Sequence, residues 1–296
     1  MNTELPTRTG PYGLEVVLDR PWGDAVSRFV RERQATGLHI GAYTDYQPQD
    51  LSFLRETPEL CLLNLNTSSV SDDSVIASLT HLRSLSLQTS SNAALNLSEL
   101  TSLEDLSLRW RETVSGLGEC TNLRCLSIEN FEPPTGDLAP LRSLIHLRKL
   151  EIVGGSIRKL SGLQYLSSLR FLDLSELRLD DPNGISDAAH LRGLAMSRCG
   201  GVETLGFVSH LTDLVWLTLL EMGQIESLRP LAGLTSIEVV GVGEGTVIRD
   251  GDMSVLTRLP NLKRVMLVDQ PHYSHRSRDF PKHYSKTYEW LWQEDH

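Results

Sequence analysis

The chain has 296 residues, 40% of them hydrophobic but only 6% aromatic, and a formal net charge of -10. Burial therefore falls to leucine, isoleucine and valine, as in a stack of many thin, similar layers. The acidic balance disfavours a nucleic-acid partner, which calls for a basic stripe, and favours solubility or a basic protein partner.

The opening stretch MNTELPTRTGPYG has no basic segment leading into an apolar run. No stretch approaches the roughly eighteen apolar residues of a membrane span, so a soluble, cytoplasmic chain with no membrane partner is expected. Residues 1–12 are expected to be a loose start. Leu14 to Leu18, LEVVL, reads as a short strand. Asp24 is placed to cap a helix through Gln34, with Ala25, Val26, Phe29 and Val30 on one face and Arg28, Arg31, Glu32 and Arg33 on the other. Residues 1–34 are thus expected to form an N-terminal cap of strand plus helix, covering what would otherwise be an open sheet edge.

From Ala35 the pattern L-x-x-L-x-L recurs. A degenerate copy at Ala35 leads to Leu38 and Ile40, and further copies begin at Leu60, Leu82, Leu103, Leu123, Leu147, Leu169, Leu191, Leu214, Leu234 and Leu262. Neighbouring starts lie roughly 20 to 29 residues apart, the period of a solenoid repeat. Within one copy Ile157, Leu160, Leu163, Leu166, Leu169 and Leu172 fall every third residue, and the step then shortens to two at Leu174. Three-residue steps suit 3₁₀-like turns with one apolar edge, and the closing Leu-x-Leu suits a strand. Such a unit cannot bury its apolar edge alone and needs copies stacked on both sides. Residues 35–269 are therefore expected to form an α/β solenoid. Its concave side would be a parallel sheet of about eleven short strands, its convex side 3₁₀ and short helical turns.

The copies IRKLSGLQYLSSLRFLDL and IESLRPLAGLTSIEV resemble the short SDS22-like and internalin-type class of bacterial leucine-rich repeat proteins. The resemblance implies a non-enzymatic protein-binding scaffold, such as an inhibitor, immunity partner or adaptor. The sequence departs from that class where an Asn follows the last strand leucine by three residues. Ser68, Ser90, Arg111, Phe131, Gly155, Leu177, Cys199, Met222 and Val242 stand there instead, implying differently bonded turns. Two copies are stretched, by FEPPTGDLAP after Asn130 and by the Gly-rich run Gly241 to Asp252; insertions in solenoids map to loops. After Val268 the period stops. Residues 270–296 read as a linker followed by an aromatic capping helix, His283 to Gln293, with Tyr284, Tyr288, Leu291 and Trp292 near one face.

In each copy the third, fifth and seventh positions point away from the core. The first strands then present small polar groups such as His39, Asn64 and Ser86, a solvated face. The middle presents Glu129, Glu151 and Asp173, and the last strands present Trp216, Leu220, Val240, Met266 and Val268. This apolar end either meets a partner, with Trp216 as anchor, or lies under the tail with Trp290 and Trp292. The expected binding face comprises Arg109, Trp110, Glu129, Lys149, Glu151, Phe171, Asp173, Glu176, Trp216 and Leu220. A monomer is expected unless the C-terminal apolar patch is uncovered.

Catalytic chemistry is not legible. His81, His146 and His190 share one column but lie two or three repeats apart, too far for a shared metal, and His272 and His275 lack an acidic or cysteine companion nearby. Cys61, Cys120, Cys125 and Cys199 show no CxxC spacing, so neither a disulfide framework nor a zinc site is signalled. Glu151 and Asp173 have the residue types of a glycosidase pair, yet an open sheet gives no cleft to raise the acid's pKa. GVGEGTV lacks the Lys-Ser/Thr of a phosphate loop, and no serine or cysteine constellation stands out. No catalytic residue, metal or cofactor is therefore assigned. Two other readings stay open: an activity in the tail after Val268, and a glycan-binding or adhesion role.

Overall fold

A computed structural model describes residues 4–41 and 43–282. The expected aromatic helix from His283 to Gln293, with Trp290 and Trp292, lies outside the described residues. The chain divides into two compact units, Met1–Glu129 and Asn130–His296.

In the first unit β1 (Thr7–Gly10) and β2 (Gly13–Leu18) form an antiparallel hairpin, followed by α1 (Asp24–Glu32). Parallel strands then follow in order: β3 (Gly37–Ile40), β4 (Leu62–Thr67), β5 (Ser84–Thr89), β6 (Asp105–Arg109) and β7 (Cys125–Phe131), which begins in this unit. The second unit continues the pattern with β8 (Lys149–Gly155), β9 (Phe171–Ser175), β10 (Gly193–Ser197), β11 (Trp216–Leu220), β12 (Val239–Val242) and β13 (Arg264–Leu267), each paired in parallel with the next. Among the described residues β3 to β13 make eleven repeat strands, in line with the expected number of about eleven. The returns between them carry 3₁₀ turns such as Ser74–Ser78 and Gly206–His210, as the three-residue leucine steps predict. The fourth and sixth positions of the copies before the last, for example Leu63 and Leu65 or Leu172 and Leu174, are buried, whereas Leu267 in the last copy is only half-buried.

Four expectations need correction. The supposedly loose start contains β1, because Gly10 and Gly13 close a turn that lets Thr7 to Gly10 pair with Gly13 to Val16. The helix stops at Glu32, with Gln34 at φ +52, and it has no side-chain cap; Asp24 lies in its first turn, and the buried face is Val26, Ser27 and Val30 rather than one including Ala25. The tenth repeat begins at Ile237, not Leu234, because Trp216 pairs with Val239 and Leu217 with Val240. Val240 is consequently in the core instead of on the exposed face, and Glu238 sits in the turn, 2.5 Å from Lys263. Leu228, Leu231, Leu234, Ile237 and Val240 continue in steps of three, so the leucine pattern has no unique phase there, and strand pairing sets it. Finally, the Gly-rich insertion is not all loop: Thr246–Ile248 pairs in parallel with Gly223–Ile225.

The missing asparagines are replaced in several ways. Phe131, Leu177 and Met222 fill their positions with buried apolar side chains. The Cys199 thiol donates to the Leu174 carbonyl at 3.2 Å, and the Thr246 hydroxyl donates to the Leu219 carbonyl while accepting from the Met222 amide. In the first unit Arg111 reaches across to Asp73, Nη2 to Oδ1 2.6 Å, and the Thr89 hydroxyl donates to the same carboxylate. Asp73 has no solvent exposure, so these two donors stand where water would otherwise be required.

Candidate functional site

Two residues after the last core position of a strand, the backbone repeatedly turns left-handed: Asn130, Glu176, Arg198 and Glu221 have φ between +50 and +58, and Gly154 takes the same place at +67. A non-glycine residue pays roughly 1–2 kcal/mol for that conformation. In the second unit the turn aims three consecutive side chains at each other. Arg198 pairs with Glu176 at 2.5 Å and with Glu221 at 3.0 Å, so two carboxylates share one guanidinium at the strand exits.

On the outward face of the same unit, Lys149 pairs with Glu151 at 3.0 Å, and Glu151 is the register partner of Asp173. Asp173 accepts from the Ser175 hydroxyl at 3.1 Å. Burial raises the Asp173 carboxyl above its ordinary value; the Ser175 bond opposes this, and the Glu151 charge adds to it. Farther along, the Trp216 indole donates to the Thr218 hydroxyl at 2.7 Å, and Leu220 and Val268 are 40% and 44% exposed. Phe171, expected on the accessible face, is only 3% exposed: it is a buried residue of β9, not an open contact.

In the first unit Arg109 pairs with Glu129 at 3.3 Å, and Gln88 donates to the other Glu129 oxygen at 3.3 Å. Trp110 is half-buried just beyond β6. These residues, like those of the second unit, stand at the outward or exit positions that the repeat assigns them.

The first strands hold what the sequence reading missed. His39 is not solvated: it and Glu15 are both 1% exposed, with His39 Nε2 2.7 Å from Glu15 Oε2. Arg8 of β1 donates to the same oxygen at 2.5 Å and to the Tyr43 hydroxyl at 3.1 Å. Among the described residues Glu15 Oε1 and His39 Nδ1 find no hydrogen-bond partner. The signal was present in TRTGPYGLEV, whose Gly-Pro-Tyr-Gly turn places Arg8 opposite Glu15 once the hairpin is recognised. The same turn carries Tyr12 onto Arg83, guanidinium 4.6 Å from the ring centre. Burial, then the Asp105 and Glu104 charges, push the Tyr12 hydroxyl up to about 12.

Among the described residues no group of three or more His, Cys, Asp or Glu could hold a metal ion. His190 lies 3.3 Å from Asp213, and His272 faces the Ile248 carbonyl at 2.9 Å, each in a local contact. No described helix is long and apolar enough to cross a membrane.

No family model matches the chain, and no curated protein does. Solved structures do. An internalin, InlF, from Listeria monocytogenes superposes with a TM-score of 0.65 at 18% identity, over 93% of this chain and 87% of that one. A leucine-rich repeat protein of Leptospira interrogans gives 0.58 at 16% identity, over 86% and 71%. TLR13, in a complex with ssRNA13, gives 0.60 at 17% identity over 87% of this chain, which spans 40% of that one.

Proposed function

We propose that this chain, which has the leucine-rich repeat fold of internalin type, is a non-enzymatic protein-binding scaffold that takes a basic protein on the outward face of its strands. The fold supports an interaction role, since stacked strands hold side chains from several repeats in a rigid array with little ordering cost. The observation that carries the choice of partner is the register pairing of Glu151 with Asp173. Like charges opposite one another on neighbouring strands weaken the sheet. Lys149 answers Glu151 and one guanidinium, Arg198, answers both Glu176 and Glu221, so four carboxylates face two cations and the net negative charge left over is what a cationic partner would compensate. The neighbour bound to ssRNA13 does not redirect this reading, because a chain of net charge -10 repels phosphate.

The test is to isolate a complex from the native source and compare the chain with its Glu151→Lys/Asp173→Lys variant. Association at low salt should slow markedly in the variant and much less at high salt, because the long-range attraction between approaching partners is screened over about 10 Å at 0.1 M. A partner that binds both proteins alike at low salt would show that this face is not its site.

A further inference from the structure

The loops that follow β2 and β3 line a cleft of about 620 Å³ on the first unit. Its walls are aromatic and its polar groups are acidic or neutral. Trp22 stacks on Phe53 with ring centres 4.8 Å apart and planes 17° from parallel, and Tyr46 and Pro48 extend that lining. Two exposed carboxylates, Asp50 and Glu56, stand at the same cleft. Both are held in place. The Ser27 hydroxyl of α1 donates to Glu56 at 3.0 Å, and the Ser52 amide donates to Asp50 at 3.0 Å. Hydrogen bonds from Ser52 keep the Asp50 carboxyl below its ordinary value, so it is charged at neutral pH. None of the residues lining the cleft is Lys, Arg or His.

We propose that this cleft is a binding site for an arginine side chain of a partner protein. A guanidinium is planar, weakly hydrated and permanently charged, so it can lie against an aromatic wall and still donate to a carboxylate. A lysine ammonium has the charge without the flat face, and a neutral or acidic group gains nothing from Asp50 and Glu56. The Trp22 and Phe53 stack is made within the chain, so the aromatic wall exists before any ligand arrives and costs no ordering on binding. This inference does not rest on the strand-face proposal: the two surfaces share no residue and can be altered separately.

The experiment is a titration of the ¹⁵N-labelled full chain with N-acetyl-arginine amide, followed at the Trp22 indole N–H, whose resonance is assigned by its loss in Trp22→Phe. Trp22 lines the cleft, and among the described residues its N–H has no hydrogen-bond acceptor, so its resonance reports on what enters. Saturable movement of the signal is expected with the arginine compound, and weaker movement with the lysine analogue. N-acetyl-citrulline amide, of the same shape without the charge, should move it little. In Glu56→Gln, which keeps an oxygen acceptor for the Ser27 hydroxyl and removes the charge, the arginine affinity should fall about fivefold, the scale of one exposed charge contact. Equal response to citrulline would show a neutral apolar cleft and overturn the proposal. So would no response to arginine, or an unchanged affinity in Glu56→Gln. A response to N-acetyl-proline amide exceeding that to arginine would assign the cleft to a different occupant.

Discussion

Glu151 and Asp173 stand opposite one another on the adjacent parallel strands β8 and β9, and the native environment favours the protonated form of Asp173. An acid whose native pKa is raised destabilises the fold once it ionises. The loss develops as pH rises from the ordinary value of 3.8 through the raised native value, and is constant above it. Asp173→Asn should therefore be more stable than the parent at pH 7, by about 0.5 kcal/mol if the relief matches one cross-strand charge pair. The difference should close as pH falls below the ordinary carboxylate value. Urea unfolding at several pH values measures this; a variant less stable than the parent at pH 7 would mean that the carboxylate is needed by the fold.

Leu172, in β9 of the second unit, has no solvent exposure. Leu172→Ala should cost about 2–5 kcal/mol by leaving a cavity between layers that cannot fully collapse. Its unfolding midpoint in urea is the measurement, and coincidence with the parent's would remove Leu172 from the core.

Arg111→Ala leaves the Asp73 carboxylate buried with the Thr89 hydroxyl as its remaining side-chain donor. Breaking one side of a buried pair costs about 3–5 kcal/mol, because the other charge is stranded. Adding Asp73→Asn to Arg111→Ala should recover much of that loss. A double variant as unstable as the single one would mean that packing by the arginine stem matters more than its charge.

Acid should loosen the N-terminal hairpin. Burial lowers the His39 pKa in spite of its bond to Glu15, so charging it costs stability as pH falls below its ordinary 6.5. For Glu15, burial acts upward, but the bonds from His39 and Arg8 outweigh it and its pKa is lowered. The stability it contributes is present above its ordinary 4.5 and is lost as pH falls through the native value. Amide exchange in β1 and β2, corrected for its intrinsic pH dependence, should lose protection from about pH 6.5 downward. His39→Gln should flatten the part of that profile above pH 5. Unchanged protection in the parent between pH 7.5 and 5 would count against a titrating His39 in this cluster.

Most of the fold was legible because its signal is redundant. Leu63 and Leu65, Leu106 and Leu108, and Leu172 and Leu174 each announce a strand, and the three-residue steps between them announce the turns. Redundancy also explains the one register error. Where Leu228 to Val240 never breaks its step of three, the pattern that reveals the repeat cannot say where the strand starts. The site was legible in part: outward positions such as Glu151, Asp173 and Leu220 follow from alternation alone. Phe171 occupies an equally outward position, yet it is buried, and alternation carries no information about what covers a residue.

The sequence by itself determined the repeat, the number of its strands and the opposition of Glu151 and Asp173, because these depend on spacing along the chain. Only the tertiary structure decided the register of β12, the burial of the Glu15 and His39 pair under Arg8, the Asp73 and Arg111 bridge and the Trp22 cleft. Asp73 and Arg111 lie 38 positions apart, and Ser27 and Glu56 lie 29 apart. Such contacts exist only once stacking brings separate layers within a few ångströms, and no local periodicity encodes them.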